Sequence, residues 1–233
     1  MRFLRERAED AVEMMDSPDC DPERLDRTYA QFSLVNRAVS GWRRIYRQKL
    51  RPRLSKNSAA TLLDIGCGGG DVPVMLARWA AKDGLQLRIT GIDPDERAHR
   101  FAMGRDAVAG LTFRQALSSD LVRESRIYDF VISNHVLHHL STTELQDFLS
   151  DSTALCLQAA MHNDLRRSVA AYALFSAGAL PLRGSFIRED GLMSIRRSYT
   201  SGELDAAIPP HWKVEPHSPF HQLVVHAAES GIV

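Results

Sequence analysis

Leu62-Leu63-Asp64-Ile65-Gly66-Cys67-Gly68-Gly69-Gly70-Asp71 decides the fold of this 233-residue chain. A short apolar run that stops at glycines is the pattern of a buried parallel strand. Glycines at its end let the backbone take positive φ and pass close beneath a ligand. The helix expected next offers free N–H groups at its start. A nicotinamide dinucleotide site would place the third glycine of G-x-G-x-x-G at position 71, where this chain has Asp71. The spacing here is G-x-G-x-G, with Asp64 two positions before the first glycine.

Working outward, Ala60 to Ile65 is the first strand and Val72 to Ala81 a helix. Leu87 to Ile92 reads as a second strand ending at Asp93-Pro94, and Glu96 to Ala109 as a helix. Leu111 to Phe113 and Tyr128 to Ser133 are the next strands; a helix from Thr142 precedes a fifth around Leu157 to Met161. Such alternation implies right-handed crossovers and a parallel sheet covered on both faces. Lys213 to Glu215 and Leu223 to Ala227 read as two strands joined by a turn at Ser218-Pro219, which makes one of them antiparallel.

Before the first strand, Asp21-Pro22-Glu23 starts a helix. Leu25, Tyr29, Phe32, Val35, Val39, Trp42, Ile45, Tyr46 and Leu50 then recur at three- and four-residue spacing, with a break expected near Ser40-Gly41. That face packs onto the core and can also serve as a lid. Asp164 to Leu180 looks like an apolar helix, Pro181 to Tyr199 like an irregular polar stretch, and Thr200 to Glu203 like a capping box. The expected organisation is a helical lid over residues 1–58 and one domain over 59–233, with a cap inserted at 163–205.

Composition narrows the class. Hydrophobic residues make up 44% and charged residues 25%, and 29 basic residues balance 29 acidic ones. A net charge of zero argues against a dedicated nucleic-acid or anionic-membrane binder. Cys20, Cys67 and Cys156 show neither metal-ligand nor redox spacing, so no disulfide framework is expected. The charged start shows no signal peptide. The longest apolar stretch, Val169 to Leu180, is about half a membrane span. The expectation is a cytoplasmic protein without a membrane span; a homodimer is left open.

The glycine loop, Asp64, Asp93 and the strand order together resemble the class I S-adenosylmethionine (SAM)-dependent methyltransferases, Asp64 to Gly70 matching their motif I. SAM has no pyrophosphate to cradle; it carries an ammonium, a carboxylate and a sulfonium. The resemblance implies that Asp64 acts near the ammonium end and that Asp93, the motif II acid, accepts both ribose hydroxyls. It implies a Rossmann-like α/β fold: a seven-stranded sheet of order 3-2-1-4-5-7-6, strand seven antiparallel, helices on both faces. Cofactor contacts are expected from Asp64, Gly66, Cys67, Gly68, Gly70, Asp93, Pro94, Ala116, Leu117, Asn134 and His135. Many relatives carry Gly-Asp-Ala after strand three, whereas this chain has Ala116 near the position of the acid. Adenine is therefore expected against backbone and apolar groups.

Ser133-Asn134-His135-Val136-Leu137-His138-His139-Leu140 resembles motif IV of the small-molecule branch, which includes the ubiquinone and menaquinone biosynthesis enzymes and natural-product O-methyltransferases. It departs from the Asn-Pro-Pro-Tyr pattern of amino-group methylases. Methyl transfer is an in-line displacement at an activated methyl, so positioning supplies much of the catalysis. A phenol or alcohol must still lose its proton, a task suited to histidine. His138, His139, His162 and Asp164 are the catalytic candidates, each with a purely structural alternative. A metal held by His135, His138 and His139 on one helix is a third reading, but no convergent carboxylate cluster is visible in the sequence, so no metal is expected.

Arg183, Arg188, Arg196 and Arg197 concentrate in the 163–205 segment and would suit an acidic or phenolic substrate, or simply be solvated. Ala171, Tyr172, Leu174, Phe175 and Leu180 are suited to an aromatic or lipidic pocket, or to the core. The expected reaction is methylation of an oxygen on a phenolic, quinone or polyketide-like small molecule. C-methylation of an activated ring and SAM binding without catalysis are the rivals.

Overall fold

A computed structural model describes residues 2–227. Its sheet contains β1 (Ala60–Ile65), β2 (Leu87–Asp93), β3 (Leu111–Gln115), β4 (Tyr128–Asn134), β5 (Cys156–Leu165), β6 (Lys213–His217) and β7 (His221–Ala227). Their order is β3-β2-β1-β4-β5-β7-β6. All neighbours from β3 to β5 are parallel; β7 runs antiparallel to both β5 and β6. The helices are α1 (Pro22–Val39), α2 (Trp42–Ile45), α3 (Asp71–Lys82), α4 (Glu96–Met103), α5 (Ser118–Arg123), α6 (Thr142–Leu155), α7 (Val169–Gly178), α8 (Ile187–Arg197) and α9 (Ser201–Ala207).

The central strands read as continuous apolar runs because both faces are covered. Successive side chains point to opposite faces. Leu62, Ile132, Met161 and Leu223 enter one core with Trp42, Leu50 and Leu76. Leu63, Val131, Ala160 and Val224 enter the other with Leu145, Leu149 and Trp212.

Strand order reverses between β1 and its two parallel neighbours, β2 and β4. Chains of this topology bind ligands outside the carboxyl ends of the strands at that switch point. Here the glycine loop after β1, Asp93-Pro94 after β2 and the histidine segment after β4 share one cavity.

Three local expectations are corrected. The polar stretch 181–199 contains α8, whose buried side includes Asp190, Ser194 and Arg197. Those polar residues bind the N-terminal segment, so no apolar period marks the helix. Asp164 and Leu165 continue β5, and the next helix starts later, capped by Ser168 on the Ala171 amide. The histidine segment is not one helix. Leu137–His139 is a single 3-10 turn, and His135 has φ +58°, so the three histidines do not share a helical face.

Candidate active site

One half of the cavity is built by the loop after β1. Gly66 and Gly68 have φ +67° and +53°, and a Cβ on Gly68 would meet nothing within 4 Å. Open space above a left-handed glycine is room for a ligand against bare backbone. The Gly68 amide donates to Asp93 Oδ2 at 2.8 Å and the Asp95 amide to Asp93 Oδ1 at 3.0 Å, which ties β2 to the glycine loop. From α1, Asn36 donates to Asp71 at 2.9 Å, and Tyr29 packs at a tilt against Phe101 close over Gly69.

Asp64 is 1% exposed, and neither carboxylate oxygen has a hydrogen-bond partner. Burial, aided by Asp71 and Asp93, pushes its carboxyl well above the usual range, and burial raises Asp71 and Asp93 as well. Such a cluster of acids is costly unless a positive group joins it. Among them, only Asp71 feels a nearby guanidinium, that of Arg105.

The other half is built around the 3-10 turn. Asp164 accepts from His138 Nδ1 at 2.6 Å and from the His138 amide at 2.7 Å. Burial opposes the His138 imidazolium, but Asp164 and Glu13 outweigh it and hold the group up at about 10. Glu13 Oε1 lies 3.4 Å from His138 Nε2 and 3.8 Å from His139 Nε2. Asp16 faces His139 Nδ1 at 3.2 Å. His135 Nε2 meets His221 Nε2 at 3.0 Å, and burial holds these rings down at about 4 and about 3, so both are neutral.

Residues 4–17 are strapped over this half. Asp190 accepts from the Met14 and Met15 amides at 2.7 and 2.9 Å. Arg97 donates to the carbonyls of Ser17 and Met15, and Arg167 to that of Leu4. The walls are apolar: Phe32 and Val35 from α1, Leu174 and Phe175 from α7, Ile195 from α8. The cavity measures about 830 Å³. That is near the top of the ~300–1,000 Å³ range of small-molecule sites, with room for two ligands side by side.

Asp64, Gly66, Cys67, Gly68, Asp93, Pro94, Asn134, His135, His138 and His139 line the cavity. Gly70 does not; it sits behind the loop, against Phe113. Ala116 and Leu117 also lie outside it, Ala116 buried and Leu117 53% exposed. Asp164 stands behind His138. His162 points into the opposite core, between Phe148 and Trp212, with Nδ1 on Ser133 at 2.9 Å. It is a packing residue because its place on β5 faces away from the cleft. None of Arg183, Arg188, Arg196 and Arg197 reaches the cavity; Arg197 instead donates to the carbonyls of His138 and His139. Glu13 was not legible: an isolated acid in an irregular segment carries no periodic or motif signal.

Residues 62–158 match the family described as a methyltransferase domain. That segment carries a methyltransferase domain. The domain is 34% identical over 83 residues to a ubiquinone biosynthesis O-methyltransferase of Methylobacterium sp. (strain 4-46), covering 35% of this chain and 31% of that protein. Against the enzyme of the same name from Methylobacterium nodulans it is 28% identical over 154 residues, 64% of this chain and 58% of that protein. The chain thus spans a third to three-fifths of these relatives. Among solved structures, the plantazolicin methyltransferase BpumL in complex with SAH shares the fold with TM-score 0.55 at 14% identity, covering 88% of this chain and 95% of that one. The DszA carbon methyltransferase does so with TM-score 0.58 at 18% identity, covering 93% and 60%.

The residues of the methyltransferase domain fit SAM. The unpartnered Asp64 carboxylate and its acidic neighbours suit a ligand with an ammonium and a sulfonium, and the open face of Gly68 admits its chain. Asp93 keeps oxygen lone pairs free for ribose hydroxyls beside its two amide bonds. No helix among the described residues is long and apolar enough to cross a membrane.

Proposed function

We propose that this chain transfers the methyl group of SAM to an oxygen of an apolar, ring-bearing small molecule such as a phenol, a hydroquinone or a polyketide-like compound. One observation carries the reading: a single cavity joins the acidic glycine-loop end to the Glu13–His138–His139 end between apolar walls. When bound, SAM supplies a methyl already activated by its sulfonium. Asp64, Asp93 and the loop hold that donor. Phe32, Val35, Leu174 and Phe175 take the acceptor's apolar body, and its hydroxyl comes to the histidines. There the O–H bond breaks with its proton passing to the partly exposed His139 imidazole, while an oxygen lone pair forms the C–O bond. The C–S bond breaks with its electrons passing to sulfur. Asp164 acts through His138 as a positioning residue, fixing the orientation of its ring.

Residues 1–58 serve as the lid and 163–205 as the cap. The lid reading is supported by α1 over the glycine loop and the strap carrying Glu13; the cap reading by the α7 wall. The test is incubation with SAM and a panel of alkyl phenols, hydroquinones and hydroxylated polyketides, with fragmentation mass spectrometry to locate the added methyl. An O-methyl product supports the reading. A methyl on ring carbon, or no product across the panel with SAM bound, overturns it.

A further inference from the structure

We propose that Glu13, His138 and His139 bind one divalent transition-metal ion at the acceptor end of the cavity. One ligand atom from each lies within 4.8 Å of the other two, and among the described residues these three alone form such a group. The Glu13 Oε1 to Nε2 distances of 3.4 and 3.8 Å are longer than a well-formed hydrogen bond of about 2.9–3.0 Å. They are near the spacing of two donors on one tetrahedral ion, about 3.4 Å for bonds of about 2.1 Å. His138 Nε2 is fully buried and has no hydrogen-bond partner. A ring nitrogen in that state, aimed at a carboxylate it does not bond, is short of a partner.

The outer contacts point the same way. Metal-bound histidines nearly always give their second nitrogen to a carboxylate, carbonyl or water. Here His138 Nδ1 is hydrogen-bonded to Asp164 at 2.6 Å, and the Asp16 carboxylate faces His139 Nδ1 at 3.2 Å. Both Nε2 atoms are thereby turned toward Glu13. Ser194 Oγ donates to Glu13 Oε1 at 2.8 Å and fixes the carboxylate. Two imidazoles and one carboxylate suit zinc, iron or cobalt, and three protein ligands leave a position open for a substrate. All three residues line the cavity, so that position faces the acceptor.

Metal binding stands on these residues alone; its catalytic use rests on the methyl-transfer reading. There the ion would take the place of a histidine base, acting as a Lewis acid on the acceptor hydroxyl and easing loss of its proton to solvent before the oxygen attacks the methyl carbon.

The test uses the full chain stripped with a chelator and titrated with Co²⁺, read by visible absorption and by metal content. One equivalent should produce a ligand-field band that Zn²⁺ abolishes. Glu13→Gln and His139→Asn should each weaken the site at least about 10-fold, and Asp16→Asn about 10- to 100-fold. No band at stoichiometric cobalt, or unchanged affinity in both ligand variants, overturns the proposal. S-adenosylhomocysteine calorimetry on the same samples separates the two readings. Binding of that product without a cobalt signal removes the ion and leaves methyl transfer. A cobalt signal without product binding supports the ion and removes the donor site.

Discussion

Glu13 Oε1 sits 2.8 Å from Ser194 Oγ and 3.4 Å from His138 Nε2, so a residue of the irregular N-terminal segment completes a site whose histidines follow β4. The segment is held there by its own backbone: the amides of the next two residues, Met14 and Met15, donate to Asp190. This end of the cavity is thus assembled from three distant parts of the chain.

Asp93 is the first point at which donor binding can be broken. Its carboxylate ties the Gly68 amide and faces the cavity. Asp93→Ala removes a charged acceptor and should cost about 1.5–3 kcal/mol, roughly 10- to 100-fold in affinity for S-adenosylhomocysteine. Calorimetry reads this directly; unchanged affinity would place the ribose elsewhere.

Asp64 makes donor binding pH-dependent. Burial and two neighbouring acids raise its carboxyl in the free protein. A bound ammonium lowers it again, so binding should expel protons and affinity should rise with pH until the free protein's Asp64 is ionised. Calorimetry in buffers of different ionisation heat gives the proton count. Asp64→Asn should reduce it, whereas zero release in the wild type would mean Asp64 does not meet the cation.

Closure by α1 predicts slowed hydrogen exchange over residues 22–39 when S-adenosylhomocysteine is added. Tyr29 lies over Gly69 and Asn36 bonds Asp71, so ordering the loop orders the helix. Unchanged exchange would make α1 a fixed packing element.

His162 separates packing from catalysis. Burial holds its imidazole down at about 3, below the ordinary value near 6.5. As pH falls through about 6.5 the unfolded chain takes a proton that the folded chain refuses, so stability declines from there toward pH 3. His162→Phe should flatten that decline in urea titrations and leave turnover near wild type. A large loss of turnover in folded His162→Phe would return this residue to the reaction.

How far the sequence reaches follows from the kind of signal each part carries. β1 to β5 are legible because a doubly covered strand is a continuous apolar run, and the glycine loop because positive φ at Gly66 and Gly68 demands glycine. The break at Ser40-Gly41 is legible for the same reason, with Gly41 at φ +75°. Which way His162 points depends on strand register, which periodicity over a short run does not set. α8 is hidden because three of its five buried residues, Asp190, Ser194 and Arg197, are polar. Glu13 is brought to His138 and His139 by long-range contacts of its segment with Asp190, Ser194 and Arg97, which leave no local trace. The carboxylate that seemed missing beside the histidines was therefore present in the chain but not near them in sequence.

The most direct test of the central claim, that donor and acceptor meet at the His138–His139 end of one cavity, is a single-turnover measurement with methyl-deuterated SAM and an alkyl phenol. It compares wild type with His139→Ala, whose parent ring is partly exposed and whose loss leaves the core intact. The predicted result is deuterated methyl on the phenol oxygen and a rate about 100- to 10,000-fold lower in the variant, with S-adenosylhomocysteine affinity nearly unchanged. Label on ring carbon, or equal rates in the two proteins, would contradict the account.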